Sequence, residues 1–181
     1  MKPQEIDAAL ERATDVMRRR PSAGLQPDAS AIARWDGGLR VVSQHPSGFA
    51  VATDMPRELG GDGEHVSPGW LVRSGMASCA ATLIVMWAAR EGIVLDELSV
   101  EVTSRSDLRG LLGVTERDGS AVPTQMRDIA LSVRLSAAGV PTERLQALAR
   151  AACQASPATR TVEQECGITV DVAVHADALA F

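Results

Sequence analysis

Tyrosine is absent from this 181-residue chain, and three tryptophans and two phenylalanines hold the aromatic share at 3%. A core must therefore be assembled from Ala, Val, Leu, Ile and Met, which the 45% apolar content allows. Basic clusters are as scarce. Net charge is −5, and the densest run, MRRRP at 17–21, reads as a solvated helix end. A phosphate-tracking surface needs clustered Lys and Arg, so nucleic acid is not an expected partner. The three cysteines, Cys79, Cys153 and Cys166, lie 74 and 13 residues apart, which is neither a disulfide framework nor a zinc pattern. His45, His65 and His175 lack ligand spacing, so neither a metal nor a cofactor is expected. There is no GxSxG elbow, and no locatable pair of carboxylates to support glycosidase chemistry.

Targeting signals are missing too. The N-terminal MKPQEIDAALERA is charged and periodic, with no apolar segment of a secretory leader. The longest uncharged run, 74–89, has 16 residues, short of the roughly 18 that suggest a membrane span. A buried helix in a cytoplasmic protein, where a reducing environment suits free thiols, is the expectation.

What is present is a clear alternation of patterns. Ile6, Leu10, Ala13, Val16 and Met17 predict an amphipathic helix over 4–19, and RPSAGLQPDAS then reads as a linker. Three short strand-like runs follow, AIARW, LRVVSQ and FAVATD, joined by DGG and HPSG turns into an antiparallel meander. The glycine-rich MPRELGGDGEHVSP leads into a long helix over 68–91, with Ser67 as N-cap, Pro68 first and Gly92 just past the end. GGDG before a helix suggests an anion cradle, but Asp62 and Glu64 would repel phosphate and the loop reads as structural. Nearly every face of the helix is apolar or small, which predicts burial on most sides, most easily with help from a partner subunit. Period-two apolar sets then predict strands at Leu98–Val102, Ile129–Leu135 and Ile168–Val174. Before the last of these comes a helix capped by Thr142, with Leu145, Leu148, Ala149, Ala152, Cys153 and Ser156 on one face. Pro157 interrupts it, and a shorter helix ends at Gly167. The order α-βββ-α-ββ-α-β is a mixed α+β domain, not a doubly wound one.

Cys79 sits in RSGMASCAATLIVMWAAR, about three turns inside the long helix, beyond reach of the helix dipole. A small apolar cysteine in a helix is ordinarily a core residue. To react as a thiolate it needs a cation brought from elsewhere.

The stretch GGDGEHVSPGWLVRSGMASCAATLIVMWAAREGI resembles the OsmC/Ohr family of osmotically inducible and organic hydroperoxide resistance proteins. It shares the glycine-rich loop, the Ser-Pro opening a helix, the cysteine eleven residues after that proline (68 to 79) and the following Gly-Ile. ERLQALARAACQASPATRTV is similar to the family's second helix, and SDLRGLLGV to an Asp-x-Arg-Gly stretch of one branch. The likeness spans about 30–176, leaving 1–28 as an N-terminal helical extension and linker and 29–181 as the OsmC-like domain. It implies an OsmC-like fold: antiparallel sheets wrapped around two central helices in an intertwined homodimer. It also implies that Cys79 attacks an organic hydroperoxide to become a sulfenic acid, which a second cysteine and a thiol reductant then resolve.

Two departures stand out. Ser156 replaces the resolving cysteine, and a hydroxyl cannot form a disulfide; Cys153, three residues earlier and about 4.5 Å along the axis, is the substitute candidate. Cys166 is expected to be structural. Gly69 stands where the peroxidases carry the glutamate that orients an activating arginine. That arginine is expected in the strand region, with Arg40 ahead of Arg34 and Arg57, while Arg73 could act only indirectly. The leading expectation is a thiol-dependent peroxide reductase of organic hydroperoxides, using Cys79 within an apolar surround of Met76, Leu83, Met86 and Trp87. The alternative is a non-catalytic dimer that binds a small apolar ligand or senses redox state. An esterase using Ser78 or Ser156 lacks a located base.

Overall fold

A computed structural model describes residues 2–164 and 167–173. The chain runs α1 (Pro3–Arg19), β1 (Ile32–Trp35), β2 (Val41–Gln44), β3 (Ala50–Thr53), α2 (Pro68–Arg90), β4 (Glu97–Arg105), α3 (Leu108–Leu111), β5 (Arg127–Ser136), α4 (Thr142–Ala155) and α5 (Pro157–Glu163), with 3-10 turns at 21–23 and 57–59. This is the expected mixed α+β class.

Local chemistry sets the ends of α2. The Ser67 hydroxyl accepts from the Trp70 N–H at 3.3 Å, and Pro68 occupies the first helical position, where its missing N–H costs nothing. At the other end Gly92 adopts φ 67°, its N–H donates to Ala89 O at 3.0 Å, and the Ile93 N–H donates to Ala88 O at 2.8 Å. That pair of bonds is a Schellman closure, and the positive φ explains the glycine. In α4 the expected cap shifts by one residue. Thr142 is the first helical residue, and Pro141, which has no side chain to accept a bond, stands at the cap position.

The core forms where α2 and α4 pack against the β4–β5 ribbon. Ile84, Ala88, Ile93, Ala137, Leu145, Leu148, Ala149 and Ala152 are buried there together. The antiparallel register pairs Leu98 with Leu135, Val100 with Val133 and Val102 with Leu131, so the period-two sets meet on one face. Each of the larger side chains contributes about 1.5–3 kcal/mol by leaving water.

The fold bears on three expectations. First, within one chain α2 is buried only along Met76, Ala80, Ile84, Ala88 and Ala89, while Val72, Gly75, Ser78, Thr82 and Val85 form an exposed seam of small and β-branched residues, the side that the expectation gave to a partner subunit. Secondly, residues 167–173 form no strand, and Ile168, Val170 and Val172 are 87%, 75% and 81% exposed. Alternation supplies a strand's two faces but not the neighbour whose backbone must pair with it, and nothing among the described residues pairs there; Val174 lies outside them. Thirdly, the last helix ends at Glu163, short of Gly167, and Cys166 lies outside the described residues.

The meander has the expected order β1-β2-β3. Unlike the ribbon, it makes at most marginal contact with any helix. Trp35 is 76% exposed and Phe49 80%. The extension does dock: α1 packs along α2, and Arg90 Nη2 donates to Thr14 Oγ1 at 2.7 Å.

Candidate functional site

Each residue turns a helix by about 100°. Cys79 is therefore a quarter-turn from Ala80, off the buried line and beside the exposed seam. Its thiol is free and half-buried. Met76, Leu83 and Met86 lie one or two turns away on the same flank, and all are at least partly buried.

The neighbour across the helix pair follows from a register argument. Arg144, in the first turn of α4, holds Glu91 at the end of α2 through Nη2–Oε2 at 3.1 Å. The shared core of Ile84 and Ala88 with Leu148 and Ala152 continues that antiparallel alignment. Counting twelve residues from the ion pair on each helix (144 to 156, 91 to 79) brings Ser156 level with Cys79, to within about one turn at 1.5 Å rise per residue. Ser156 is fully buried and continues the stripe Leu145, Leu148, Ala149, Ala152 that faces α2.

Its hydroxyl is unusual. Ser-Pro before α5 reads as an N-cap, a role worth about 1 kcal/mol when the side chain accepts a backbone N–H. Ser156 makes no such bond. Its Oγ is buried without a hydrogen-bond partner among the described residues, and so is Thr159 Oγ1 one turn on. α5, which carries Thr159, packs against α2. Buried hydroxyls rarely go unpaired, because each forfeits water without compensation.

Cys153 points elsewhere. It is a quarter-turn from Ala152 and lines a cleft of about 390 Å³ between α4 and β5, with Leu131, Val133, Leu135 and Arg150. Burial pushes its thiol pKa up, which disfavours the thiolate.

Every candidate arginine has a local partner. Arg34 Nη1 donates to Gln44 Oε1 at 2.6 Å, Arg40 Nε meets Asp36 Oδ2 at 3.0 Å across the β1–β2 turn, and Arg57 Nε donates to Asp62 O at 3.0 Å. Arg73 is half-buried, and its side chain runs toward the N-terminus of α2, as helical side chains do. It reaches Ser104 Oγ at 3.4 Å. A Cβ on Gly69 would meet Met126 Cε at 3.4 Å and the Arg73 Nη1 at 3.8 Å, ordinary van der Waals contacts, so the glycine lies close beside that guanidinium.

Sequence reasoning missed Asp54. It is 2% exposed, and its carboxylate accepts from the N–H groups of Met55 (2.7 Å), Asp62 (2.9 Å) and Gly63 (3.0 Å). Burial alone would raise its pKa, but these bonds and one from Glu64 outweigh it and hold the carboxyl below its ordinary value. The glycine-rich loop thus spends its N–H groups on the chain's own anion. The one available signal was an acidic residue closing a strand directly before a glycine-rich loop. A second structural cluster explains SDLRGLLGV: Asp107 caps α3 and grips Arg109, Nη2–Oδ2 2.6 Å, which also meets Glu116 at 3.2 Å. Arg109 beside it holds the Asp107 carboxyl below its ordinary range.

The family model described as OsmC-like protein matches residues 61–171. No curated protein matches the chain. Among solved structures, the chain is similar to an OsmC-like protein of unknown function from Vibrio cholerae (14% identity, TM-score 0.62, 77% of this chain and 96% of that one). It is also similar to an OsmC like protein from Mycoplasma pneumoniae (17%, 0.58, 77% and 89%). A third likeness is to an organic hydroperoxide resistance protein OsmC from Legionella pneumophila (24%, 0.52, 76% and 91%). At these identities the likeness establishes the fold alone.

Proposed function

This chain belongs to the OsmC-like family, and on that footing we propose that it is a thiol-dependent peroxide reductase acting on organic hydroperoxides through Cys79. The observation that carries the reading is a free, half-buried thiol beside the exposed seam of α2, with the buried, unpaired Ser156 hydroxyl within about one turn of its level. A fold relative bearing the name organic hydroperoxide resistance protein supports the substrate class.

In the reaction the Cys79 thiolate attacks the distal peroxide oxygen. The S–O bond forms as the O–O bond breaks, sulfur is oxidised, and the departing alkoxide takes a proton to leave as alcohol. Ser156 cannot close a disulfide, and the Cys153 thiol faces β5 with a raised pKa. A small external thiol therefore resolves the sulfenic acid: one thiol displaces water to give a mixed disulfide, and a second releases Cys79.

A second copy of the chain covers the α2 seam and the bare faces of the meander in this reading, since an apolar surface of this extent is the mark of an interface. Arg40 rides on that meander, which scarcely touches its own α2. If it assists Cys79, it does so from the partner chain.

Stoichiometric cumene hydroperoxide should add one oxygen to Cys79, trapped by dimedone and located by peptide mass, with peroxide consumed in step. Cys79→Ser should abolish consumption, and Cys153→Ser should leave the first oxidation unchanged. Unmodified protein with reactive thiols after peroxide treatment would refute the proposal. Gly69, beside Arg73 and without a carboxylate to orient its guanidinium, favours the rival reading of a non-catalytic ligand-binding dimer. Cys79→Ser that keeps full peroxide consumption would support that reading.

A further inference from the structure

Ser156 Oγ and Thr159 Oγ1 are buried, adjacent by one turn, and bonded neither to each other nor to any described group. They lie where α4 hands over to α5, two helices that both pack on α2, and counting from the Arg144–Glu91 pair sets Ser156 within about one turn of the level of Cys79. A hydroxyl both donates and accepts. Two of them together suit a small group that also does both. The Ser78 hydroxyl of the nearby seam is bonded to Gly75 O at 3.1 Å, so among the described residues the buried, unpaired hydroxyls are confined to this point.

We infer that the Ser156 and Thr159 hydroxyls hold the O–OH head of the hydroperoxide at Cys79 and afterwards the S–OH group it leaves. The inference rests on the peroxidase reading and goes beyond it, assigning to Ser156 a role of its own in place of the missing disulfide. Before attack, the hydroxyls orient the distal oxygen toward sulfur and the proximal oxygen away. During attack the electron pair of the O–O bond leaves on the proximal oxygen, and one hydroxyl donates a hydrogen bond to it until a solvent proton neutralises the alkoxide. The sulfenic S–OH then occupies the space of the departed peroxide head and is held there until an external thiol attacks sulfur and water leaves.

The test is the single-turnover rate of Cys79 oxidation by cumene hydroperoxide in the full chain, compared with Cys79 alkylation by iodoacetamide. Ser156→Ala and Thr159→Val should each slow oxidation by about tenfold, the equivalent of one hydrogen bond to the reacting group. Alkylation should stay within about twofold of wild type, because it needs the thiolate but not the peroxide-holding hydroxyls. Unchanged oxidation in Ser156→Ala, or an equal fall in alkylation, overturns the inference and leaves the peroxidase reading standing. Wild-type protein inert to the hydroperoxide overturns both. Ser156→Cys checks the placement independently: peroxide should close a disulfide between Cys79 and position 156, and failure to do so refutes the register on which the inference depends.

Discussion

Asp54 and Ser156 are both polar side chains sealed inside this molecule, and their surroundings are opposite. Asp54 is 2% exposed with a shell of backbone donors around its carboxylate, whereas Ser156 is fully buried with none. The first arrangement is complete in one chain: a charge closes a loop, and the loop solvates the charge. In the second, no described group pairs the hydroxyl. A satisfied buried group reads as architecture, and an orphaned one as a place prepared for something that arrives.

The contrast can be broken most forcefully at Asp54. Asp54→Ala leaves at least three loop N–H groups without their acceptor, and we expect the largest fall in Tm of any variant here, with hydrogen-exchange protection lost across 54–66; an unchanged Tm would erase the contrast. Gly61→Ala is next. A Cβ there would sit 1.9 Å from Met55 O and 2.6 Å from Asp54 Oδ1, so the loop must shift, at roughly 1–3 kcal/mol by urea denaturation.

Acid comes third. The folded pKa of Asp54 lies below the ordinary 3.8, so the unfolded chain takes up the proton first. The stabilisation is intact above that ordinary value and disappears as pH falls through the folded one. Asp54→Asn should flatten this part of the acid-unfolding curve, with Asp107 and Asp118 contributing in the same direction. Smallest is Ser156→Ala, which removes an unpaired hydroxyl and should change stability by less than about 1 kcal/mol. A loss matching that of Asp54→Ala would mean that Ser156 is a bonded structural residue, and the contrast would fail.

Much of the architecture was legible from short-range chemistry. Ser67-Pro68 and Gly92 mark both ends of α2, because helix ends are settled by hydrogen bonds and steric limits within a few residues. The DGG and HPSG turns and the period-two runs gave β1–β5 for the same reason. The candidate site was only half legible. Cys79 stood out by its place in a motif, but its position beside the seam, and Ser156 level with it, depend on how α4 lies against α2.

By itself, then, the sequence determined α1, α2, α4 and β1–β5, both ends of α2, and that one thiol sits in an apolar helix. Tertiary structure alone decided which side of that helix stays open, that Ile168–Val172 finds no strand partner among the described residues, that Ser156 turns inward instead of capping α5, and that Asp54 gathers the loop around itself. The reason is the range of the forces. Turns and caps are closed by neighbours along the chain, while covering an apolar face or pairing a buried polar atom requires groups that only folding brings near.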